Sequence, residues 1–186
     1  MIIVEGPDGA GKTTLVNELL KEFDDLTLGP RATDDRDKLY EVTVEDTFNA
    51  LSEAVRCRKG EAKIWDRLFY SEFVYAPVTD RDCAFNEDQQ SYINRIIQYL
   101  GIPIIICLPP LEVVKQNLGD KQMEGVTENI DQIYELYADA EWWPPAMLYD
   151  YTGQAPLRRD DRMPFSLHLI KQNLAHYFNT RRLREW

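Results

Sequence analysis

"MIIVEGPDGAGKTTLVNELL", residues 1–20, decides how the rest of the chain is read. An apolar run, Met1–Glu5, breaks into a glycine-rich turn, and Leu15, Val16, Leu19, Leu20 and Phe23 then recur at helical spacing. The run reads as a buried strand and the periodic segment as a helix over Lys12–Asp24. Between them, Gly6-x-x-x-x-Gly11-Lys12-Thr13 fits the P-loop pattern. Glycines at 6, 9 and 11 allow turns and close approaches that a Cβ would block, so successive N–H groups can point at an anion. The following helix adds its positive end. On this reading Gly9, Ala10, Gly11, Lys12, Thr13 and Thr14 hold the phosphates of a nucleotide. Lys12 reaches the β- and γ-phosphates and the Thr13 hydroxyl ligates Mg²⁺. A glycine turn met by chance is the alternative, and the flanking strand and helix argue against it.

Further along, Leu26–Leu28 reads as a short strand and Val44, Thr47, Phe48, Leu51 and Val55 mark a helix. Ala62–Trp65 is a third strand running into Asp66-Arg67, and Asn86–Leu100 a helix carried by Ile93, Ile96, Ile97 and Leu100. "IPIIICL", residues 102–108, is the plainest buried strand. A long helix is expected from Val126 through Tyr137, a last strand over Met147–Tyr151, and a last helix through Leu167, Ile170, Leu174 and Tyr177. Strands alternating with helices imply an α/β fold with a mainly parallel sheet and helices on both faces. Ligands of such sheets sit beyond the carboxyl ends of the strands. Both the glycine turn and Asp66-Arg67 lie at such ends.

The 186 residues carry 44% hydrophobic and 28% charged residues, a globular balance that allows a single domain. No apolar run approaches the ~20 residues of a bilayer-spanning helix. A strand starting at Met1 leaves no room for a secretory signal. Cys57, Cys83 and Cys107 form no metal or disulfide pattern, so a cytoplasmic chain with reduced thiols and no membrane attachment is expected. The net charge of −11 and scattered basic residues argue against a nucleic-acid partner, which asks for a basic face. Arg158-Arg159 and Arg181-Arg182-Leu183-Arg184 are the exceptions, and the latter suits the last turn of a helix. A small anionic substrate fits better than a polymer.

Asp66, behind an apolar strand, can hold Mg²⁺ or act as base toward an attacking oxygen. Arg67 can fork onto a phosphate. A GTPase is excluded by the lack of Asn-Lys-x-Asp after a late strand. Asp150-Tyr151-Thr152-Gly153 comes too late in the chain for the phosphate-sensing Asp-x-x-Gly and reads as a strand end and turn. Tyr70, Phe73, Tyr75, Phe85 and Tyr92 could stack on a base, although aromatics this dense are more often core. His168 and His176 have no metal-site partners.

Three stretches together resemble the thymidylate kinases. "VEGPDGAGKTT" (4–14) is similar to their P-loop, and "RKGEAKIWDRLFYSEFVYAP" (58–77) to their hydrophobic-Asp-Arg…Ser…Ala-Tyr segment. "LPPLEVVKQNLGDKQMEGVTENIDQIYELYADA" (108–140) resembles their strand, lid and following helix. The resemblance implies a three-layer P-loop kinase fold with a five-stranded parallel sheet and a short lid, here about 111–128. It implies ATP- and Mg²⁺-dependent phosphorylation of a deoxynucleoside monophosphate, dTMP-like, to the diphosphate, in nucleotide biosynthesis. The sequence leaves a homodimer open. Lys12 and Thr13 then serve ATP and Mg²⁺. Asp8 lies near the acceptor sugar, and Asp66 and Arg67 at the metal and acceptor phosphate; of the aromatics that could stack on a base, Tyr70 is the candidate for substrate binding. Adenine rests near Thr152–Pro156.

The chain also departs from that family. "GPRATDD" (29–35) replaces Arg-Glu-Pro-Gly, which leaves Arg31 as the acceptor-phosphate ligand on that side. The segment between the second and third strands is short, and the Ala-x-Arg element before Asp66 is missing. The lid offers only Lys115 and Lys121, of which Lys121 is the first candidate for the cation that stabilises the transferring phosphoryl. "DRLFYSEFVYA" (66–76) is also similar to deoxynucleoside kinases, which take a nucleoside. A kinase acting on a modified base or end in DNA, and a nucleotide-binding regulatory protein without transfer activity, are further alternatives.

Overall fold

The computed structural model describes residues 1–29, 39–56, 62–119, 122, 125–139, 145–154 and 164–183. Five strands, β1 (Ile2–Glu5), β2 (Leu26–Leu28), β3 (Ala62–Asp66), β4 (Ile104–Cys107) and β5 (Met147–Tyr149), form one sheet in the order β2-β3-β1-β4-β5. Every pairing is parallel: Ile2 lies opposite Ile64, Ile3 opposite Ile104, Leu26 opposite Ala62 and Ile105 opposite Met147. β1 and β4 are buried at every residue, as strands covered on both faces must be. The expected α/β fold with a five-stranded parallel sheet is the fold observed.

Seven helices connect and cover the described strands: α1 (Lys12–Glu22), α2 (Leu39–Arg56), α3 (Phe69–Val78), α4 (Glu87–Leu100), α5 (Leu111–Gln116), α6 (Ile130–Ala138) and α7 (Leu167–Leu183). α1 starts where the P-loop ends and buries Leu15, Val16 and Leu19, each contributing about 1.5–3 kcal/mol of apolar burial. α4 begins at Asn86, whose side chain accepts from Gln89 N–H while Gln89 answers to Asn86 N–H. This capping box fixes the start of the helix that its periodicity predicts.

The differences from the expected elements have local causes. α3 has no helical signature because Phe69, Tyr70, Val74, Tyr75, Ala76 and Val78 are all buried, which erases the apolar stripe. α5 is too short for a periodicity. α6 starts at Ile130 rather than Val126, because 125–129 form turns with Gly125 at φ 80°. β5 stops at Tyr149. Asp150 caps the next turn, accepting from Thr152 N–H, Thr152 Oγ1 and Gln154 N–H, so "DYTG" is a strand end and turn as expected.

Candidate active site

The carboxyl ends of β1 and β3 open into one cavity of about 830 Å³. Its floor is the P-loop. Gly6 holds φ 141° with its Cα against the Cys107 carbonyl of β4, where a Cβ would collide with that oxygen. Gly11, at φ 82°, is the N-cap of α1 and lies under the Tyr151 ring. Backbone excludes a side chain at Gly6, and the left-handed φ at Gly11 would strain any other residue.

Lys12 is 7% exposed, and its Nζ donates to the Pro7 carbonyl at 2.7 Å. Burial, helped by the nearby Arg67 charge, pushes its pKa down to about 8 against the pull of Asp8 and Asp66. Thr13 Oγ1 donates to Asp66 Oδ2 at 2.8 Å, which ties the start of α1 to the tip of β3. Lys12, Thr13, Asp66, Arg67 and Asp8 all line the cavity.

Arg67 sits at the corner between β3 and α3 with φ 72°, a left-handed conformation that costs a non-glycine residue about 1–2 kcal/mol. Two consecutive N–H groups hold the corner: Arg67 N–H donates to Val4 O at 2.9 Å, and Leu68 N–H to Glu5 Oε1 at 2.8 Å. The guanidinium then meets four side chains. Nη2 donates to Asp8 Oδ1 and to the Tyr75 hydroxyl at 2.9 Å, and Nη1 to Ser71 Oγ at 3.0 Å and the Tyr137 hydroxyl at 3.5 Å. It also stacks over the Tyr75 ring, 4.9 Å from its centroid. Burial opposes the Arg67 charge, but Tyr75, Asp8, Tyr137 and Glu5 raise its pKa nonetheless. For Asp8, burial acts upward while Arg67 and Lys12 outweigh it, holding the carboxyl below its usual range.

The donor set suits a hard divalent cation. The Thr13 hydroxyl and Asp66 carboxylate are oxygen ligands in contact at the mouth of an open cavity, the arrangement for a Mg²⁺ that keeps waters and shares nucleotide oxygens. Among the described residues no cluster of three or more His, Cys, Asp or Glu could enclose a metal alone. Three lining carboxylates (Asp8, Glu18, Asp66) outnumber the two lining cations (Lys12, Arg67), a balance that a divalent cation would offset.

No protein-family model matches the sequence. A curated relative, the guanylate kinase of Thermotoga maritima, is 23% identical over 151 residues, 76% of this chain and 72% of the relative. The YorR protein of Bacillus subtilis, solved in complex with phosphorylated GDP, superposes with a TM-score of 0.62 at 25% identity, covering 100% of this chain and 99% of that one. The thymidylate kinase of Candida albicans gives 0.53 at 16% identity (97% and 91%), and the deoxyadenosine kinase of M. mycoides with bound dATP 0.51 at 16% (94% and 98%). The chain has the fold of the P-loop nucleotide kinases. It is a divergent example of that kinase fold.

Within it, several of the anticipated site residues are brought together. Asp8, Gly9, Gly11, Lys12, Thr13, Thr14, Asp66 and Arg67 share the cavity, while Ala10 is buried beneath the loop. Tyr70 does not line the cavity: it is fully buried, its hydroxyl donates to Asn94 Oδ1 at 2.7 Å, and its ring packs on Phe69 and Phe73. Lys115 is engaged on Asp131 at 2.6 Å and does not line the cavity. Arg31, Lys121 and residues 155 and 156 lie outside the described residues. The end of α5 rests on the P-loop: Asn117 Nδ2 donates to Gly9 O at 3.1 Å and to the Tyr151 hydroxyl at 2.9 Å.

Sequence reasoning missed Asn117, Tyr151, Glu18 and Tyr149 on the cavity wall, and Glu5, Ser71 and Tyr137 behind Arg67. Ser71 and Tyr75 stand four and eight residues after Arg67 on one helix, a usable spacing signal. An acid closing a wholly apolar strand was a signal for Glu5, since a buried carboxylate must be paired. Asn117 and Tyr137 carry no such mark.

Proposed function

We infer that this chain is an ATP- and Mg²⁺-dependent phosphotransferase that converts a deoxynucleoside monophosphate, dTMP-like, to its diphosphate. The observation that carries the reading is the Thr13–Asp66 contact, which joins the P-loop to the Asp66-Arg67 corner inside a single cavity. In the reaction an acceptor phosphate oxygen attacks the γ-phosphorus as the bond to the β–γ bridging oxygen breaks, releasing ADP. The P-loop N–H groups and Lys12 bind the donor phosphates, and Lys12 offsets charge on the departing β-phosphate. To do so it exchanges the Pro7 carbonyl for phosphate oxygens. Thr13 and Asp66 would hold Mg²⁺, which neutralises the phosphate charge and orients the γ-phosphoryl group. Arg67 presents its guanidinium to the acceptor phosphate, and Asp8 beside it meets the acceptor sugar. Asn117 and Tyr151 cover the P-loop from the lid side and limit water, which would otherwise compete as acceptor.

A guanine monophosphate is the second reading, favoured by the guanylate kinase relative and by the guanine nucleotide named with the YorR structure. The test is an acceptor screen: each deoxynucleoside, each deoxynucleoside monophosphate and GMP with ATP and Mg²⁺, products identified by mass. A diphosphate formed from dTMP is the expected result, and one formed from dGMP or GMP alone selects the second reading. Product from nucleosides only would make this a nucleoside kinase, and ATP consumption at background with every acceptor would refute transfer.

A further inference from the structure

Glu5 is a wholly buried carboxylate that the reaction described above does not use. It closes β1, one residue before the P-loop glycine, and is not among the residues that line the cavity. Oε1 accepts from Leu68 N–H at 2.8 Å, while Oε2 accepts from Ser71 Oγ at 2.7 Å and from the Tyr137 hydroxyl at 3.3 Å. The same two hydroxyls, 3.1 Å apart, accept from Arg67 Nη1. Ser71 gives its proton to Glu5, while the Tyr137 hydroxyl lies within reach of both Glu5 Oε2 and Ser71 Oγ; with either acceptor, lone pairs of the two hydroxyls are left for the guanidinium.

We propose that Glu5 is a positioning residue: through Leu68 N–H and the hydroxyls of Ser71 and Tyr137, its carboxylate holds Arg67 in the pose that faces the cavity. Burial outweighs the lowering pull of Arg67, Ser71 and Leu68, so the Glu5 carboxyl titrates above its usual range. Four separate parts of the chain meet in this cluster: β1 with Glu5, the β3–α3 corner with Arg67 and Leu68, α3 with Ser71, and α6 with Tyr137. α6 follows the lid segment, so Tyr137 links that segment's trailing helix to Arg67. A glutamine at position 5 keeps the shape of the side chain but offers an N–H where Ser71 and Tyr137 need an acceptor.

The inference rests on Arg67 serving the acceptor, and its test separates the two ideas. In the full-length chain, the Arg67 guanidinium nitrogens are followed by NMR, assigned with Arg67→Lys. Slow rotation about Nε–Cζ is expected in the parent. In Glu5→Gln it should quicken about 10- to 100-fold, the scale of a lost hydrogen bond to a charged group. Tyr137→Phe spares Ser71 and should quicken it less, and Ser71→Ala with Tyr137→Phe replaces Glu5→Gln if that variant does not fold. Kinetically, Glu5→Gln should raise KM for the acceptor about tenfold or more, with KM for ATP within about twofold. Unchanged rotation in these variants, or equal rises in both KM values, would overturn the positioning role. A parent without transfer activity would defeat the phosphotransfer reading alone, because the NMR measurement needs no substrate.

Discussion

The two sides of the cavity are built in opposite ways. The P-loop side comes from one unbroken segment, Gly6–Thr14, whose glycines, backbone N–H groups and Lys12 act within a few residues of one another. The Arg67 side is assembled from Glu5, Asp8, Ser71, Tyr75 and Tyr137, drawn from β1, the P-loop, α3 and α6. A phosphate cradle needs mostly backbone, so a local motif can specify it. Holding a guanidinium at a left-handed corner needs acceptors on several sides, and no single helix or strand offers them.

That contrast can be broken by substitution, and the largest effect is expected on the P-loop side. Lys12→Ala should lower kcat by about 10³-fold in steady-state assays, the scale for losing a cation at a transferring phosphoryl group. Asp66→Asn should lower kcat by about 10²-fold while calorimetric ATP affinity changes less than about threefold. An intact turnover in Asp66→Asn would remove that residue from the reaction. Away from both sides of the cavity, Glu72→Gln loosens a pair fixed by two bonds, Arg81 Nη1 to Oε1 at 2.7 Å and Nη2 to Oε2 at 2.9 Å, with Ala84 N–H also on Oε1. Unfolding stability should fall by about 1–3 kcal/mol in denaturant titration, because Glu72 is buried.

A smaller, pH-dependent effect should sharpen the comparison. With the Lys12 pKa near 8 in the free chain and higher once phosphate is bound, nucleotide binding takes up a proton above that pH. Affinity for Mg-ATP is therefore full below pH 8 and falls as pH rises through it, by at most about tenfold per unit. Titration calorimetry in buffers of different ionisation enthalpy would detect the proton, and an affinity flat from pH 7 to 10 would contradict the depressed pKa. The smallest effect is expected for Tyr70→Phe, which removes the bond to Asn94. It should cost about 1 kcal/mol of stability and leave both KM values unchanged.

The sheet and most of its helices were legible because burial writes itself into residue order: "IPIIICL" could only be a covered strand, and α1, α4 and α7 keep one apolar face. α3 was not legible, since a helix buried on nearly all sides has no face to reveal. Tyr70 and Tyr75 show the same limit within that helix. Both are aromatic and buried, yet one bonds Asn94 in the core and the other meets Arg67 and Asp8 at the cavity.

By itself, then, the order of residues determined the parallel α/β frame, the phosphate loop and the place of Asp66-Arg67 at a strand end, because each depends on neighbours along the chain. Only the tertiary structure decided that Thr13 touches Asp66, that Asn117 reaches the P-loop, and that Glu5 and Tyr137 stand behind Arg67. Those contacts join residues separated by 53 positions or more. Their energies come from desolvated charges meeting across the sheet, a quantity set by packing rather than by sequence spacing.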